Sequence, residues 1–107
     1  LPTWDKPAFA CLSSRFPYGT KITEERLDKV AQGEELLRGL GFGQFRVRYH
    51  GDTVRIEVEE SSLKLFLDDG VRKKTVDGLK AIGFVYVTLD LQGYRPGSMN
   101  EVLKKEN

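Results

Sequence analysis

Phe45-Arg46-Val47-Arg48-Tyr49-His50-Gly51-Asp52-Thr53-Val54-Arg55-Ile56-Glu57-Val58 decides the fold. Its apolar residues fall at every second position: Phe45, Val47 and Tyr49 share one face, as do Val54, Ile56 and Val58. Gly51-Asp52 between the two runs suits a two-residue hairpin with Gly first, as in a type II′ turn. That turn fixes a register. His50 faces Thr53, Tyr49 faces Val54, Arg48 faces Arg55, Val47 faces Ile56, Arg46 faces Glu57 and Phe45 faces Val58. Every apolar residue then meets another across the pair, so turn chemistry and hydrophobic pattern demand the same alignment.

Helices are expected on both sides of this hairpin. Upstream, Thr23 suits an N-cap, Glu24 and Glu25 place negative charge in the first turn, and Leu27, Val30, Leu37 and Leu40 form an apolar stripe closed by Gly41. Glu34 interrupts that stripe. A carboxylate snorkelling at its edge is the plain expectation, and a site residue is the sharper alternative. Downstream, Ser61 or Ser62 is expected to cap a short helix carrying Leu63, Phe66 and Leu67. After Asp68-Asp69-Gly70 comes a second helix with Val71, Val76, Leu79 and Ile82, ending at Gly83. A third strand follows with Val85, Val87, Leu89 and Leu91 inward, and Ser98-Met99-Asn100-Glu101 resembles a capping box for a last short helix. Leu37-Arg38-Gly39-Leu40-Gly41-Phe42 and Leu79-Lys80-Ala81-Ile82-Gly83-Phe84 echo one another, each ending a helix before a strand. The order α-β-β-α-α-β predicts an α+β fold: a two-layer domain, with helices on one face of a small, mostly antiparallel three-stranded sheet.

Composition narrows the function. The 107 residues suit one domain, and 17 Lys+Arg against 16 Asp+Glu leave a net charge of +1, too little for a nucleic-acid surface. No apolar run approaches the ~20 residues of a membrane span. One Cys and one His make neither a disulfide framework nor a zinc site. The chain opens at Leu1 without Met, and Pro2, Pro7 and Pro17 hold residues 1–18 extended or turned, with no helical period, within a linker of residues 1–22 that carries the cysteine motif. A linker leading from a longer protein is the expectation, with the domain proper at residues 23–107.

Chemistry has two candidate locations. The sheet face opposite the helices carries Arg46, Arg48, His50, Arg55 and Glu57, with Arg48 directly opposite Arg55. Like charges so placed cost stability, and an anion between them would turn repulsion into charge-assisted bonding. Neutralisation by Glu57 and Asp90 on a solvated face is the alternative. Cys11 is the nucleophile candidate: free cysteines are usually core packing, but Ser13 and Ser14 place hydroxyls beside it and the nearby Arg15 favours a thiolate. His50 is expected to be a solvated residue at a strand end. No phosphate-binding glycine loop occurs.

Four ordered stretches carry a resemblance: Phe9-Ala10-Cys11-Leu12-Ser13-Ser14-Arg15-Phe16-Pro17-Tyr18-Gly19-Thr20, Phe45 to Asp52, Arg55-Ile56-Glu57, and Gly93-Tyr94-Arg95-Pro96-Gly97-Ser98-Met99-Asn100. Together they resemble the ATP-dependent sacrificial sulfur transferases of the LarE family, which act in nickel-pincer cofactor biosynthesis. The resemblance implies the C-terminal part of such a protein, with an N-terminal ATP-pyrophosphatase domain as the partner that supplies ATP and magnesium. It implies a nucleotide-like small-molecule substrate, pyridinium-3,5-dicarboxylate mononucleotide, adenylated and then attacked by the cysteine. Loss of the sulfur leaves dehydroalanine. By the same resemblance Cys11 is the sacrificial residue, Arg46 and Arg48 hold phosphate, and Arg55 lines the same face. Ser14 and Arg15 lie beside phosphate or thiolate, and Glu34 or Glu57 supplies the base. A homo-oligomer in a cytoplasmic setting is implied too, without nucleic-acid or membrane partners and without a metal site in this chain. Alone, the chain is expected not to hydrolyse ATP. The alternative is a non-catalytic phosphate-binding and oligomerisation domain of another ATP-pyrophosphatase protein.

Overall fold

A computed structural model describes residues 15–94. The elements run α1 (Glu24–Gly39), β1 (Phe45–His50), β2 (Thr53–Val58), a 3₁₀ helix (Glu60–Leu67), α2 (Asp69–Ile82) and β3 (Tyr86–Leu89). The expected final helix at Ser98, together with Cys11 and Ser14, lies outside the described residues.

The hairpin adopts the expected register at all six positions from Phe45↔Val58 to His50↔Thr53. Gly51 has φ +64° and Asp52 does not have positive φ, which matches type II′ and excludes type I′. The α+β two-layer architecture is as the pattern implies, with strand order β1-β2-β3. β3 runs parallel to β2. The 3₁₀ helix and α2 form the crossover that returns the chain to the end at which β2 starts, as a parallel pair requires.

Both helices pack on the apolar sheet face. Leu27, Val30 and Leu37 of α1 and Leu79 of α2 are buried with Val47, Val54, Ile56 and Val58. Gly33 lets α1 approach closely: a Cβ there would lie 3.2 Å from Leu79 Cδ2 and 3.3 Å from Val47 Cγ1. Thr23 caps α1 by accepting the Arg26 N–H at 3.1 Å, and Asp68 caps α2 by accepting the Val71 N–H at 3.0 Å.

The echoed hexapeptides are two copies of one helix-ending device. In the first, Gly41 N–H donates to the Arg38 carbonyl (3.1 Å) and Phe42 N–H to the Leu37 carbonyl (3.2 Å). In the second, Gly83 donates to Lys80 (3.1 Å) and Phe84 to Leu79 (3.2 Å). This is the Schellman pattern, with φ of +100° at Gly41 and +131° at Gly83. Each copy buries a Leu before the glycine and a Phe after it, so helix termination and core filling are one event.

Two expectations are corrected. Neither Ser61 nor Ser62 caps a helix: the segment is 3₁₀, begins at Glu60 and has no side-chain cap. The third strand is shorter than its alternation suggests, and Val85 and Leu91 are exposed rather than inward. Only four residues pair at this sheet edge, so the flanking apolar residues have no neighbouring strand to pack on.

Gly39→Ala and Gly41→Ala make a paired test, because added Cβ atoms at both positions meet open space. Gly39 is within helical backbone, so its substitution is expected to stabilise by about 0.4–1 kcal/mol. Gly41 has positive φ, so its substitution is expected to destabilise by about 1–2 kcal/mol. Denaturant midpoints of the two variants check the opposite signs.

Candidate functional site

The outer edge of β1 is closed by two groups. Val47 and Tyr49 alternate with the residues bonded to β2, so their N–H groups point away from the sheet. Tyr49 N–H donates to the Arg15 carbonyl at 2.7 Å, and Val47 N–H donates to Glu34 Oε2 at 3.2 Å. Glu34 also receives a two-pronged guanidinium, Arg15 Nε to Oε2 at 2.8 Å and Nη2 to Oε1 at 3.1 Å. Residue and partner are both buried, at 8% and 7% exposure. Glu34 therefore does not snorkel. Helix α1 points it at the strand, where three N–H donors compensate its lost hydration. Phe16 follows Arg15 into the core, its ring 5.2 Å from that of Tyr49.

On the sheet face opposite the helices, Arg48 and Arg55 oppose one another as the register requires. The anion between them is Glu57. Arg48 donates through Nε and Nη2 to Glu57 Oε1 (3.1 and 2.9 Å), and Arg55 Nη2 donates to Oε2 (2.8 Å). Asp90 Oδ2 lies 3.8 Å from Arg55 Nε. Neutralisation by Glu57 and Asp90 thus describes the arrangement, but the face is not solvated there: Arg48 is 2% exposed and Glu57 is fully buried. A charge pair so enclosed adds little net stability, because the desolvation of both ions offsets their attraction. Removing one partner would cost about 3–5 kcal/mol, because the other charge would stay buried.

Arg46 occupies a different environment. It is half-buried, its Nη1 donates to the Phe45 carbonyl at 2.8 Å, and its guanidinium carbon lies 5.0 Å from the centroid of the Tyr94 ring. No described carboxylate pairs with it. Gly93 places that tyrosine. With φ +84°, it takes the chain close to the end of β2, where a Cβ would lie 3.1 Å from the Val58 carbonyl oxygen. Tyr94 N–H then donates to that same oxygen at 2.6 Å. A cleft of about 210 Å³ opens beside these groups, lined by Arg15, Glu34, Arg38, Gln44, Arg46 and Tyr94. Arg15 is paired with Glu34 and Arg38 with Glu35, so Arg46 is the guanidinium that makes the cleft suited to an anionic ligand.

The structure therefore brings Arg15, Glu34 and Arg46 to one cleft, and gathers Arg48, Arg55 and Glu57 into a separate buried network. The sequence did not single out Tyr94 as a site residue. The one local signal was Gly93, since an isolated glycine after a strand pattern suggests a turn or a close backbone approach. His50 is not a solvated strand end: it is half-buried, and its Nε2 is enclosed with no hydrogen-bond partner among the described residues. Burial, then the Arg55 charge, lowers its pKa below the ordinary 6.5, with Glu57 pulling the other way and Arg48 adding to the fall.

The fold and site thus define a small α+β domain that carries an arginine-lined cleft and an internally neutralised charge network. No protein-family model matches the chain. Over 98% of its length it is 46% identical to the pyridinium-3,5-bisthiocarboxylic acid mononucleotide synthase of Lactiplantibacillus plantarum. It is 49% identical over 98% of its length to an uncharacterized protein of Synechocystis sp., and 32% identical over 83% to one of Methanocaldococcus jannaschii. The similarity to that synthase thus extends along nearly the whole chain. The chain spans 37%, 39% and 34% of the lengths of these relatives, respectively.

His50 gives the site a pH signature. Its folded pKa is depressed, so the unfolded chain takes up the proton first as pH falls. Its contribution is fully present above about pH 6.5 and drains away as pH falls through the folded value. Urea midpoints are expected to drop between about pH 7.5 and about pH 5.5, above the range in which carboxylates titrate. In His50→Gln that slope is expected to flatten.

Proposed function

We propose that this chain is the C-terminal sulfur-transfer part of an ATP-dependent sulfur transferase that acts in nickel-pincer cofactor synthesis. The supporting observation is the shared cleft: Arg15, which ends the Cys11-Leu12-Ser13-Ser14-Arg15 motif, and Arg46, which begins the Arg46-Val47-Arg48 motif, line the same 210 Å³ space. Chain geometry supports the same reading. Arg15 is the fourth residue after Cys11, so the two Cα atoms are at most about 14 Å apart. A thiol so tethered stays within reach of a substrate whose phosphate lies against Arg46. The name of the Lactiplantibacillus relative, a synthase of a bisthiocarboxylic acid mononucleotide, fits an acceptor with both a phosphate and a carboxyl carbon.

In this reading an ATP-pyrophosphatase domain elsewhere in the protein uses ATP and magnesium to adenylate a substrate carboxylate. The Cys11 thiolate attacks the acyl carbon, the C–S bond forms, and AMP leaves with its electron pair. A base then takes the Cys11 Cα proton. The released pair forms the Cα=Cβ double bond, the Cβ–S bond breaks, and sulfur stays on the substrate as a thiocarboxylate while dehydroalanine remains in the chain. Arg46 and Arg15 hold the phosphate end, with Ser14 adding a hydroxyl and Tyr94 bracing Arg46. Of the two candidate bases, Glu34 borders the cleft and Glu57 is sealed beneath Arg48. Glu34 is the one that substrate can approach. Arg48 and Arg55, neutralised by Glu57 and Asp90, hold the sheet beneath the ligand rather than contact it.

Mass spectrometry of a full-length protein containing this chain tests the reading. After incubation with ATP, magnesium and the dicarboxylate mononucleotide, the Cys11 peptide is expected to become lighter by one H₂S and to accept an added thiol. Unchanged mass in protein that consumes ATP would reject it. In Arg46→Ala the conversion is expected to need a higher substrate concentration while the fold is retained.

A further inference from the structure

Among the described residues, every arginine except Arg26 and Arg46 pairs with a carboxylate: Arg15 with Glu34, Arg38 with Glu35, Arg48 and Arg55 with Glu57, and Arg72 with Asp69. The two exceptions are held by the same device. Each gives an Nη1–H to a backbone carbonyl, Arg46 to Phe45 at 2.8 Å and Arg26 to Lys21 at 2.5 Å. Each rests its guanidinium on a tyrosine ring, Arg46 on Tyr94 at 5.0 Å and Arg26 on Tyr49 at 5.5 Å. Each also borders a cleft, and the two clefts share no lining residue.

The Arg26 cleft holds about 470 Å³, and Pro17, Gly19, Lys21, Tyr49 and His50 help to line it. Local chemistry builds it. The Arg15 carbonyl, fixed on the Tyr49 amide, delivers the chain to Pro17, and Thr20 N–H donates back to the Pro17 carbonyl at 3.1 Å. Gly19 at φ +87° completes a type II turn, whose third position needs positive φ. The turn brings Lys21 beside the first turn of α1, where its carbonyl receives the Arg26 guanidinium. Phe16 and Phe84 pack on the Tyr49 ring at 5.2 and 6.1 Å, so Arg26 lies on a fixed surface. One of its five N–H donors is used on a described residue. Lys21 forms no ion pair among the described residues, and the exposed Glu24 and Glu25 pair with neither cation.

We infer that this cleft is an anion site separate from that of Arg46, and that it takes the phosphate of a phosphorylated small molecule. A guanidinium already oriented by a carbonyl and a ring loses little freedom on binding, and its remaining donors form the fork that a phosphate accepts. Lys21 adds a second positive charge on a flexible stem. Two cations in one recess, in a chain of net charge +1, suit a single dianion rather than a polyanion. A bare phosphate would leave most of the 470 Å³ empty, and the space beside Pro17 and Gly51 has room for an attached group the size of a sugar. No residue of the Arg46 cleft takes part, so the inference stands apart from sulfur transfer.

Amide NMR spectra of the isotope-labelled intact chain, titrated with ribose 5-phosphate, test the site. The Gly19, Lys21 and Gly51 amides are expected to shift together and saturate, independently of Gly43 and Gln44 in the Arg46 cleft. Arg26→Gln is expected to weaken that binding about tenfold or more, since charge-assisted hydrogen bonds are the stronger ones. Lys21→Gln, at an exposed position that does not threaten folding, is expected to weaken it by a smaller factor, and Arg46→Ala to leave it unchanged. Ribose without phosphate is expected to shift none of these amides, and inorganic phosphate to bind more weakly than the sugar phosphate. Absence of saturable shifts at Gly19, Lys21 and Gly51, or affinity unchanged in both Arg26→Gln and Lys21→Gln, would overturn the inference. Inorganic phosphate that binds as tightly as the sugar phosphate would overturn the assignment to a phosphorylated organic ligand. Sulfur transfer enters none of these readouts, so this inference and the proposed function fail separately.

Discussion

A single carboxylate decides how the chain before α1 meets the sheet. Glu34 sits on a helix face otherwise given to Leu27, Val30 and Leu37, where an unpaired charge would cost several kcal/mol. It is tolerated because every donor it needs converges on it: two from Arg15 and the outward amide of Val47. The same contact sets the path of the backbone. Once Arg15 is held, its carbonyl takes the Tyr49 amide and Phe16 enters the core against the Tyr49 ring. One buried ion pair thereby closes a sheet edge, positions an arginine at the cleft and ties helix, strand and preceding segment together.

The sheet's opposite face solves a related problem with different parts. Hairpin register forces Arg48 against Arg55, and the protein answers with Glu57, diagonally placed so that each oxygen meets a different guanidinium. Arg46, two residues away on the same strand, receives an aromatic ring in place of a carboxylate and stays beside open space. The division separates cations that build the fold from a cation available to a ligand, although all three looked equivalent along the strands.

Short-range chemistry was legible in the sequence, and long-range pairing was not. The Gly51-Asp52 turn with period-two apolar residues gave the register residue by residue, and Thr23, Gly41 and Gly83 marked helix ends through local hydrogen bonds. Glu34 could be recognised as anomalous but not explained, because its partner Arg15 lies 19 residues away in a segment with no periodicity. Tyr94 was equally hidden: its contact with Arg46 exists only because the Gly93 turn and the β2–β3 pairing bring the chain back. The alternation through Val85 and Leu91 misled for the complementary reason. Period two reports a preference for strand, whereas burial also needs a neighbour on which to pack, and β3 has one on only one side.

Amide hydrogen exchange in the wild-type chain and in Glu34→Gln measures the Glu34 clamp most directly. The substitution keeps size and shape but removes the charge that holds Arg15. The Val47 and Tyr49 amides are expected to exchange about tenfold faster or more, since charge-assisted bonds are the stronger ones, while the inward amides of the β1–β2 hairpin keep their protection. Unchanged exchange at Val47 and Tyr49, or equal loss of protection throughout the sheet, would contradict the claim that this carboxylate holds the Arg15 segment at the edge of β1.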